Sequence, residues 1–476
     1  MADQTVQSKF TAIGGAEFQI GLTRKAITAW GGMSVFAAFA ESIGLRGALD
    51  GALSVLPRRS PNALPASELA LGFIVGVLTG ASRFLHLERL RADQPLRDMF
   101  GLKRFVVPST YTRFFQSFGR QHQEDVFTAL TRWSLGLLPR RETGYTLDLD
   151  STVLERWGEQ EGVAPGYNPR RHGRPTQHPL LGGLAEARWL LHGWLRAGNA
   201  ASANNVIAFL RECLALAQGL VTIALVRADS GFFDHKTLSF LEEESLPYLI
   251  KARFTKRVTE AASSASSWIR VDRGLEIAEA QAQLQGWSKP RRIIVIRQEV
   301  EARPKAPGKA LFDWKGYRFQ AIVTSLTPDQ MPAIAAYRKY NERGEFENRI
   351  KELKAGCGLE GFCMDSFTAT ECVLKLLCIV HNLVQHFQDA IGLRPASAPL
   401  TQDEPRKRHT LETLRNTFLC CAAILGSKAR NRILRLSGTP AWIERFTQAL
   451  ERFAPSSPKR KAAPEFCDQV PLFSSS

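Results

Sequence analysis

Three acidic residues occupy positions where a carboxylate could take part in phosphoryl transfer. Asp150 ends the alternating stretch Tyr145-Thr-Leu-Asp-Leu-Asp, and Asp229 follows the continuously apolar run Leu220–Val226. Both lie at the predicted carboxyl end of a strand, where ligand sites form on α/β sheets. Glu347 lies in a long predicted helix. Phosphodiester cleavage develops charge on the attacking and the leaving oxygen, and two carboxylate-bound Mg²⁺ ions about 4 Å apart can stabilise both.

Glu347 belongs to a polar stripe on that helix, which we predict to run from Ala333 to Ala355. The members of the stripe fall within an arc of about 80° when about 100° is allowed for each residue. One carboxylate among hydroxyl and cationic groups suits a site where the carboxylate holds a metal and its neighbours hold phosphates. The members are Tyr340, Arg343, Glu347, Lys351 and Lys354.

The first acidic segment offers two carboxylates. Side chains alternate along a strand, so Thr146, Asp148 and Asp150 share one face, and either acid could reach a metal. The elements that follow predict an α/β fold in the order three strands, helix, strand, helix, strand. These elements are Tyr145–Asp150, Pro179–Leu184, Arg188–Arg196, Asn204–Gln218, Leu220–Val226, Phe233–Glu244 and Tyr248–Lys251.

Further along the chain, residues 252–318 interrupt this order with loops and β-like runs such as Arg292–Arg297. A strand, Phe319–Ser325, and two helices, Ala333–Ala355 and Thr368–Phe387, complete the predicted α/β unit. The last segment begins with a mixed-charge linker, Pro395–Arg408, turns helical and ends in a tail with the basic cluster Lys459-Arg460-Lys461.

The N-terminal residues 1–142 are predicted to be helical. Leu87–Phe100 and a second helix capped by Ser109 or Thr110 form a helix, a break and a helix. Helix-turn-helix geometry places the start of the second helix at DNA, which makes Thr110, Thr112 and Arg113 candidate DNA contacts. An ordinary helical hairpin with a polar face fits the same pattern.

The linker Glu155–Gln177 carries Arg170, Arg171 and Arg174. These arginines either grip phosphates near the acids or form a solvated charge run. His381 and His386 lie five residues apart on one predicted helix, a poor spacing for a shared metal, and we interpret them as structural.

The charge balance points to a polyanionic partner. Lys and Arg total 62 against 46 Asp and Glu, a formal net charge of +16 in 476 residues. Nucleic acid is the first choice and an anionic membrane surface the second. The longest uncharged apolar runs, Ala26–Ala40 and Leu69–Ser82, fall short of the ~18 residues of a membrane span. Without a signal-peptide pattern at the N-terminus, and with eight cysteines that form no usual zinc motif, we expect a cytoplasmic protein.

The acidic segments and the stripe together resemble a known enzyme family. Tyr340, Arg343, Glu347 and Lys354 are similar to the Y-R-E-K signature of a large branch of bacterial insertion-sequence transposases. Leu-Asp-Leu-Asp-Ser-Thr around Asp150 and Ala-Asp-Ser-Gly-Phe around Asp229 resemble the first two acidic motifs of these DDE enzymes. The resemblance covers roughly residues 144–390.

This resemblance implies a ribonuclease-H-like mixed sheet, interrupted before its last helix by a β-rich insertion. Asp150, Asp229 and Glu347 would bind two Mg²⁺ ions, for which Mn²⁺ can substitute. Tyr340, Arg343 and Lys354 would contact DNA near the cleaved phosphate. The family pattern of an acid, a small residue and Thr favours Asp150 over Asp148, which would then support the site from behind. A tryptophan of the insertion can stack on an extruded base in this branch, and the candidates are Trp268, Trp287 and Trp314.

The sequence therefore predicts a DNA transposase that binds terminal inverted repeats, cleaves the ends and joins 3′-OH ends to target DNA. Its partners would be double-stranded DNA and further copies of itself in a synaptic complex at the nucleoid, without a membrane. The alternatives are a structure-selective endonuclease without strand transfer and a domesticated, non-catalytic DNA-binding protein. The predicted regions are 1–142 (helical, DNA-binding), 143–251 (catalytic, first part), 252–318 (β-rich insertion), 319–392 (catalytic, second part) and 393–476 (helical, with a basic tail).

Overall fold

The computed structural model describes residues 5–12, 14–57, 60, 62–166, 168, 171–201, 205–284, 286–299, 316–392, 409–428 and 431–453. It has a mixed α/β fold, as the sequence predicts. Several features of the sequence analysis lie outside the described residues: Arg170, Trp314, the linker 395–408 and the basic cluster 459–461.

The N-terminal region begins with strands and continues with helices. Strands β1 (Thr5–Thr11) and β2 (Glu17–Gly21) pair antiparallel, and β3 (Ala26–Thr28) joins a hairpin near the C-terminus. The prediction of a wholly helical region is wrong here, because β-branched and aromatic residues alternate with polar ones and favour strands. The helices are α1 (Met33–Ser42), α2 (Leu45–Leu53), α3 (Ala66–Leu78), α4 (Gln94–Met99), α5 (Pro108–Gln116) and α6 (Arg120–Leu135).

The predicted helix-break-helix segment differs in its boundaries. The stretch expected to form one helix is a 3₁₀ turn, Phe84–Ala92, followed by α4, which Asp93 caps and which has Pro95 in its first turn. Helix α5 begins at Pro108 with Val107 before it, and neither Ser109 nor Thr110 caps it. Proline at the first helical position has its φ angle already fixed for the helix, which explains the earlier start.

The predicted order of the central elements is confirmed. Three antiparallel strands are followed by helix, strand, helix and strand, with short strands of a small side sheet between the first and second. The elements are β4 (Tyr145–Ser151), β5 (Leu154–Glu155), β6 (Ala164–Pro165), β7 (Pro175–Gln177), β8 (Leu180–Leu184), β9 (Trp189–Trp194), α7 (Val206–Ala217), β10 (Ile223–Ala228), α8 (His235–Glu243) and β11 (Tyr248–Lys251).

The segment predicted as an insertion extends the same sheet. Strand β15 (Tyr317–Thr324) pairs with both β11 and β14, so no gap separates the insertion from the acid-bearing strands. The other elements here are α9 (Lys256–Ser264), β12 (Ile269–Asp272), β13 (Leu275–Ala282) and β14 (Arg291–Glu299). The complete nine-stranded order is β12-β13-β14-β15-β11-β10-β4-β8-β9, in which β10 runs parallel to β4 and β11. The division into regions remains a prediction.

The single long helix predicted over Ala333–Ala355 is wrong. Two helices, α10 (Ala333–Asn341) and α11 (Gly344–Ala355), meet at Glu342 and Arg343. Gly344 lies at this junction, and glycine is a poor helix former. The buried Arg227 side chain also donates to the Lys339 carbonyl at the end of α10. Both features favour an interruption at this point.

The C-terminal region was predicted to be helical and instead contains a hairpin. After α12 (Phe367–Ile391) and α13 (Leu411–Leu414) come β16 (Ala422–Lys428) and β17 (Asn431–Ser437), then α14 (Pro440–Glu451). The two strands pair over their whole length, from Ala422 with Ser437 to Lys428 with Asn431, and β16 also pairs with β3, so pairing with a distant segment of the chain favours strands here.

Helix α12 is the axis of the larger hydrophobic core. Its Phe387 ring lies 5.1 Å from Phe36 of α1 and 6.1 Å from Phe418, so the N- and C-terminal segments pack on it together. Asn382 donates to the Leu190 carbonyl and accepts from the Leu190 amide, both at 2.8 Å. These bonds satisfy backbone groups of β9 that have no neighbouring strand, because β9 is an edge strand. By length and composition α12 could cross a membrane (mean hydropathy 1.5), but 78% of that stretch is buried in the protein.

Candidate active site

Asp150 and Asp229 are neighbours at the carboxyl ends of two adjacent central strands of the nine-stranded sheet. Strands β4 and β10 run parallel, and their register pairs Leu149 with Ala228. The next residues are Asp150 and Asp229, so the two carboxylates leave the sheet side by side. The Asp229 carboxylate also accepts a hydrogen bond of 2.8 Å from the Gly231 amide, which fixes the turn after β10.

Glu347 reaches the same strand ends from α11. Arg343 donates through Nη1 to Glu347 Oε1 at 2.9 Å, and its Nη2 lies 3.0 Å from Asp150 Oδ1. The Arg343 side chain is 8% exposed and that of Asp150 14%, so their ion pair lies in a medium that screens charge less than bulk water, whereas the Glu347 side chain is half exposed. Asp150, Asp229 and Glu347 line one cleft of about 980 Å³, which we call the acidic cleft.

The acidic cleft perturbs the ionisation of Asp150. Burial raises the pKa of this carboxyl, Arg343 lowers it, and the nearby Asp229 and Glu347 raise it, with a net value of about 7. Nearby like charges in a partly buried site disfavour the ionised form of Asp150. A cation bound between the three carboxylates would therefore favour the ionised form of Asp150.

The helix break separates the members of the predicted stripe. Glu347, Lys351 and Lys354 line the acidic cleft, whereas Tyr340 packs into an apolar cluster beside Leu225. Burial raises the Tyr340 pKa to about 12, with Arg343 lowering it and the three acids raising it. Tyr340 is only 7% exposed, and its contact with DNA remains a prediction.

The two lysines of the stripe have different surroundings. Lys354 Nζ donates to the Val153 carbonyl and lies 2.9 Å from Glu360 Oε1, so its ammonium group is already engaged. Lys351 is exposed, and its Nζ is 3.5 Å from the side chain of Asn348 in the same helix. Of the two, Lys351 has the ammonium group that is accessible to a ligand in the cleft.

Asp148 does not reach the acidic cleft. It is fully buried and forms a two-pronged ion pair with Arg227, at 2.7 Å to Nε and 2.8 Å to Nη2. Arg227 Nη1 then lies 3.1 Å from Glu342 Oε2, directly before Arg343 in the chain. The structure thus places Asp150 in the cleft and Asp148 in a buried pair behind the α10–α11 junction.

Sequence comparison identifies the family of the chain. The profile described as Transposase DDE domain group 1 matches residues 10–458. The chain belongs to this family of DDE transposases. No curated protein matches it. Among solved structures, a piggyBac transposase synaptic complex with hairpin DNA is similar over 83% of this chain and 81% of that chain, with 11% identity and a TM-score of 0.39.

The predicted DNA contacts of the N-terminal region lie away from the acids of the transposase. Thr110 and Arg113 line a separate cavity of about 430 Å³. Thr112 Oγ1 donates to the Pro108 carbonyl at 3.3 Å, and Arg113 Nε to the Ser109 carbonyl at 3.2 Å. Their contact with DNA remains a prediction.

The arginine linker of the transposase lies against the acidic cleft. Arg171 lines the cleft and its Nη1 is 3.4 Å from Glu155 Oε2. Arg174 lies over the ring of Trp157, with its guanidinium carbon 3.3 Å from the ring centroid. The placement agrees with the interpretation of a loop near the acids, and phosphate binding remains a prediction.

Two of the three tryptophans singled out in the sequence, Trp268 and Trp287, and both histidines are packed. Trp287 is largely buried, and Trp268 packs on Phe319 and under Arg297, 4.0 Å from its ring centroid. His381 is buried 3.8 Å from Glu352, and His386 contacts the rings of Phe39 and Trp189. These surroundings agree with a structural interpretation of both histidines.

The donor chemistry of the acidic cleft fits a divalent metal. In the described part of the chain no three His, Cys, Asp or Glu side chains stand close enough to enclose an ion. In the acidic cleft the guanidinium of Arg343 lies between Asp150 and Glu347 and keeps the two carboxylates apart. Three carboxylates offer the oxygen ligands that Mg²⁺ prefers. Burial raises the pKa of Asp150, and the neighbouring charges of Asp229 and Glu347 raise it further, an effect that a bound cation would offset.

Sequence reasoning missed cleft residues of the transposase that come from distant segments. Arg83 reaches the acidic cleft from the loop after α3, and Trp157 from the segment after β5. Lys251, at the end of β11, does not line the cleft but interacts electrostatically with Asp229 and Glu347, and its pKa is lowered by burial and by Arg318 and Arg343. Its place at the carboxyl end of a third parallel strand was the one available signal.

Proposed function

We propose that this transposase binds the ends of a DNA element, cleaves them to expose 3′-hydroxyls and joins those hydroxyls to target DNA. The observation that carries the proposal is the convergence of Asp150, Asp229 and Glu347, from three separate elements, on one cleft. The order of strands β9-β8-β4-β10-β11, with β8 antiparallel to both neighbours, supports a ribonuclease-H-like catalytic unit.

Asp150, Asp229 and Glu347 would hold two Mg²⁺ ions, with Mn²⁺ as a substitute. Bound ions of this kind stabilise charge on the attacking and leaving oxygens of an in-line displacement. The transposase family depends in general on divalent metals, and the oxygen-only triad supports the same requirement here.

The surrounding residues prepare the triad and orient the DNA. Arg343 holds the carboxylates of Asp150 and Glu347 towards the cleft and offsets their repulsion. Lys351 extends from the same face of α11 and would contact a phosphate next to the reacting one. Asp150 has a pKa near 7 and must lose its proton before it can ligate a cation, so ligation would weaken as the pH falls.

DNA is the partner that the charge supports. A formal net charge of +16 favours a polyanion, and phosphate contacts would dominate the affinity. The N-terminal helices, with Thr110, Thr112 and Arg113, would recognise the element ends. Two ends must be held together for joining, so the active assembly would contain more than one copy of the chain.

Cleavage and joining are tested separately. A labelled end fragment is incubated with the full chain and Mg²⁺, and the control contains EDTA. We expect nicking only with Mg²⁺, and an end already carrying a free 3′-hydroxyl should join a target plasmid. Nicking in EDTA would overturn the metal-dependent mechanism. Nicking without joining would reduce the function to that of an endonuclease.

A further inference from the structure

Trp157 presents an aromatic ring to solvent at the mouth of the acidic cleft. It is 79% exposed, although it lines the same cleft as Asp150, Asp229 and Glu347. Tryptophan side chains are highly buried on average, because the indole is large and mostly apolar. An indole left open beside three carboxylates therefore calls for a ligand with a flat apolar face.

The chain around Trp157 is anchored. Arg156, the preceding residue, is 2% exposed and donates to Gln177 Oε1 and to the Glu360 carbonyl, both at 2.9 Å. Its amide donates to the Pro175 carbonyl, and the short strands β5, β7 and β6 form a sheet on this side. The indole therefore projects from a fixed backbone.

Arg174 adds a positive charge to the same feature. Its guanidinium lies over the indole, 3.3 Å from guanidinium carbon to ring centroid. Within the described parts of the chain Arg174 forms no ion pair, and its Nε is buried without a hydrogen-bond partner. Arg171, by contrast, has a carboxylate partner in Glu155. A stacked guanidinium that no carboxylate of the described residues neutralises is suited to bind a phosphate oxygen.

We propose that Trp157 and Arg174 form a nucleotide-binding subsite, in which the indole stacks on an unpaired base and Arg174 contacts the adjoining phosphate. The subsite rests on the proposed function for its ligand, DNA, and adds a preference for a strand that is locally unpaired beside the acids. Stacking on an aromatic ring is tolerant of sequence, because every base has a flat face. The subsite would thus hold the DNA without reading its sequence.

A fluorescent base tests the subsite without cleavage. The probe is a duplex with a four-nucleotide single-stranded tail that carries 2-aminopurine, mixed with the full-length chain in EDTA. Stacking quenches 2-aminopurine, so the wild type should quench it. Trp157→Ala should abolish the quenching and weaken binding of the tailed duplex about tenfold. Binding of a fully paired duplex should not change.

Matched variants make the result specific. Trp157→Phe should keep most of the quenching, and Trp442→Phe, at a buried tryptophan stacked on Phe446, should keep all of it. Arg174→Gln should weaken binding of the tailed duplex. The slope of log affinity against log salt concentration should fall by about one, as expected for the loss of one phosphate contact. Circular dichroism spectra like those of the wild type will show that each variant is folded.

The two proposals fail in different ways. Equal quenching by the wild type and Trp157→Ala, with equal affinity for the tailed duplex, would overturn the subsite. So would duplex binding by the wild type with no quenching of the tail. Failure of the wild type to bind any duplex would instead overturn the proposed function.

Discussion

Arg343 Nη2 lies 3.0 Å from Asp150 Oδ1 at the carboxyl end of strand β4. The same guanidinium reaches Glu347, so one cation links the acid of a central strand with the acid of a helix. In this structure Arg343 therefore offsets the repulsion that a bound metal would otherwise relieve.

Removal of Arg343 should shift the pH dependence of nicking. Arg343 lowers the pKa of Asp150, so Arg343→Gln should raise that pKa further above about 7. Metal ligation needs the ionised carboxylate, and the rising limb of nicking rate against pH should move to higher pH. Arg343→Lys keeps the charge and should move the profile less. An unchanged profile for Arg343→Gln would contradict this electrostatic role.

Asp150 should also affect the stability of the metal-free protein. Its folded pKa of about 7 lies above its ordinary value of 3.8. A raised carboxyl pKa means that the folded state holds its proton more tightly, so stability is lost as the pH rises from about 4 through 7. Asp150→Asn removes that loss, and its Tm in EDTA should exceed that of the wild type by a few degrees at pH 8 and by less at pH 5. The opposite pH trend would count against the raised pKa.

The Asp148–Arg227 pair should be required for folding stability. Removal of one partner leaves a buried charge unpaired, which costs about 3–5 kcal/mol. Asp148→Asn should therefore lower the free energy of unfolding in urea, and Arg227→Met should do the same. The double variant should lose less than the sum of the two. Full stability with loss of nicking only in the Asp148 variant would instead move the catalytic assignment from Asp150 to Asp148.

Lys351 and Lys354 should differ in their effect on DNA binding. Lys351 is exposed on the cleft side of α11, so Lys351→Gln should weaken DNA binding and reduce the salt slope by about one. Lys354 is held by the Val153 carbonyl and Glu360, and Lys354→Gln should mainly lower the Tm. Affinities at several salt concentrations and melting curves will check both. Equal salt slopes for the wild type and Lys351→Gln would remove Lys351 from the DNA contact.

The sheet was predictable because its signals are local. The alternation before Asp150 and the apolar run before Asp229 each report burial directly, and the structure places both acids at adjacent strand ends. The helix break at Glu342 was not predictable, because the Arg227 side chain that contacts Lys339 and Glu342 is more than one hundred residues away in sequence. Trp157 was missed for a similar reason, since its exposure depends on how a distant segment folds.

The central claim is that Glu347 acts in catalysis and not in DNA binding. Glu347→Gln removes one carboxylate charge from the cleft with almost no change in shape. The matched control is Glu345→Gln, on the same helix but outside the acidic cleft, where Glu345 pairs with Arg188 at 3.4 Å. With a labelled end fragment and Mg²⁺, we expect Glu347→Gln to bind with near wild-type affinity and to show no nicking. Glu345→Gln should nick normally. Wild-type nicking by Glu347→Gln would contradict the account.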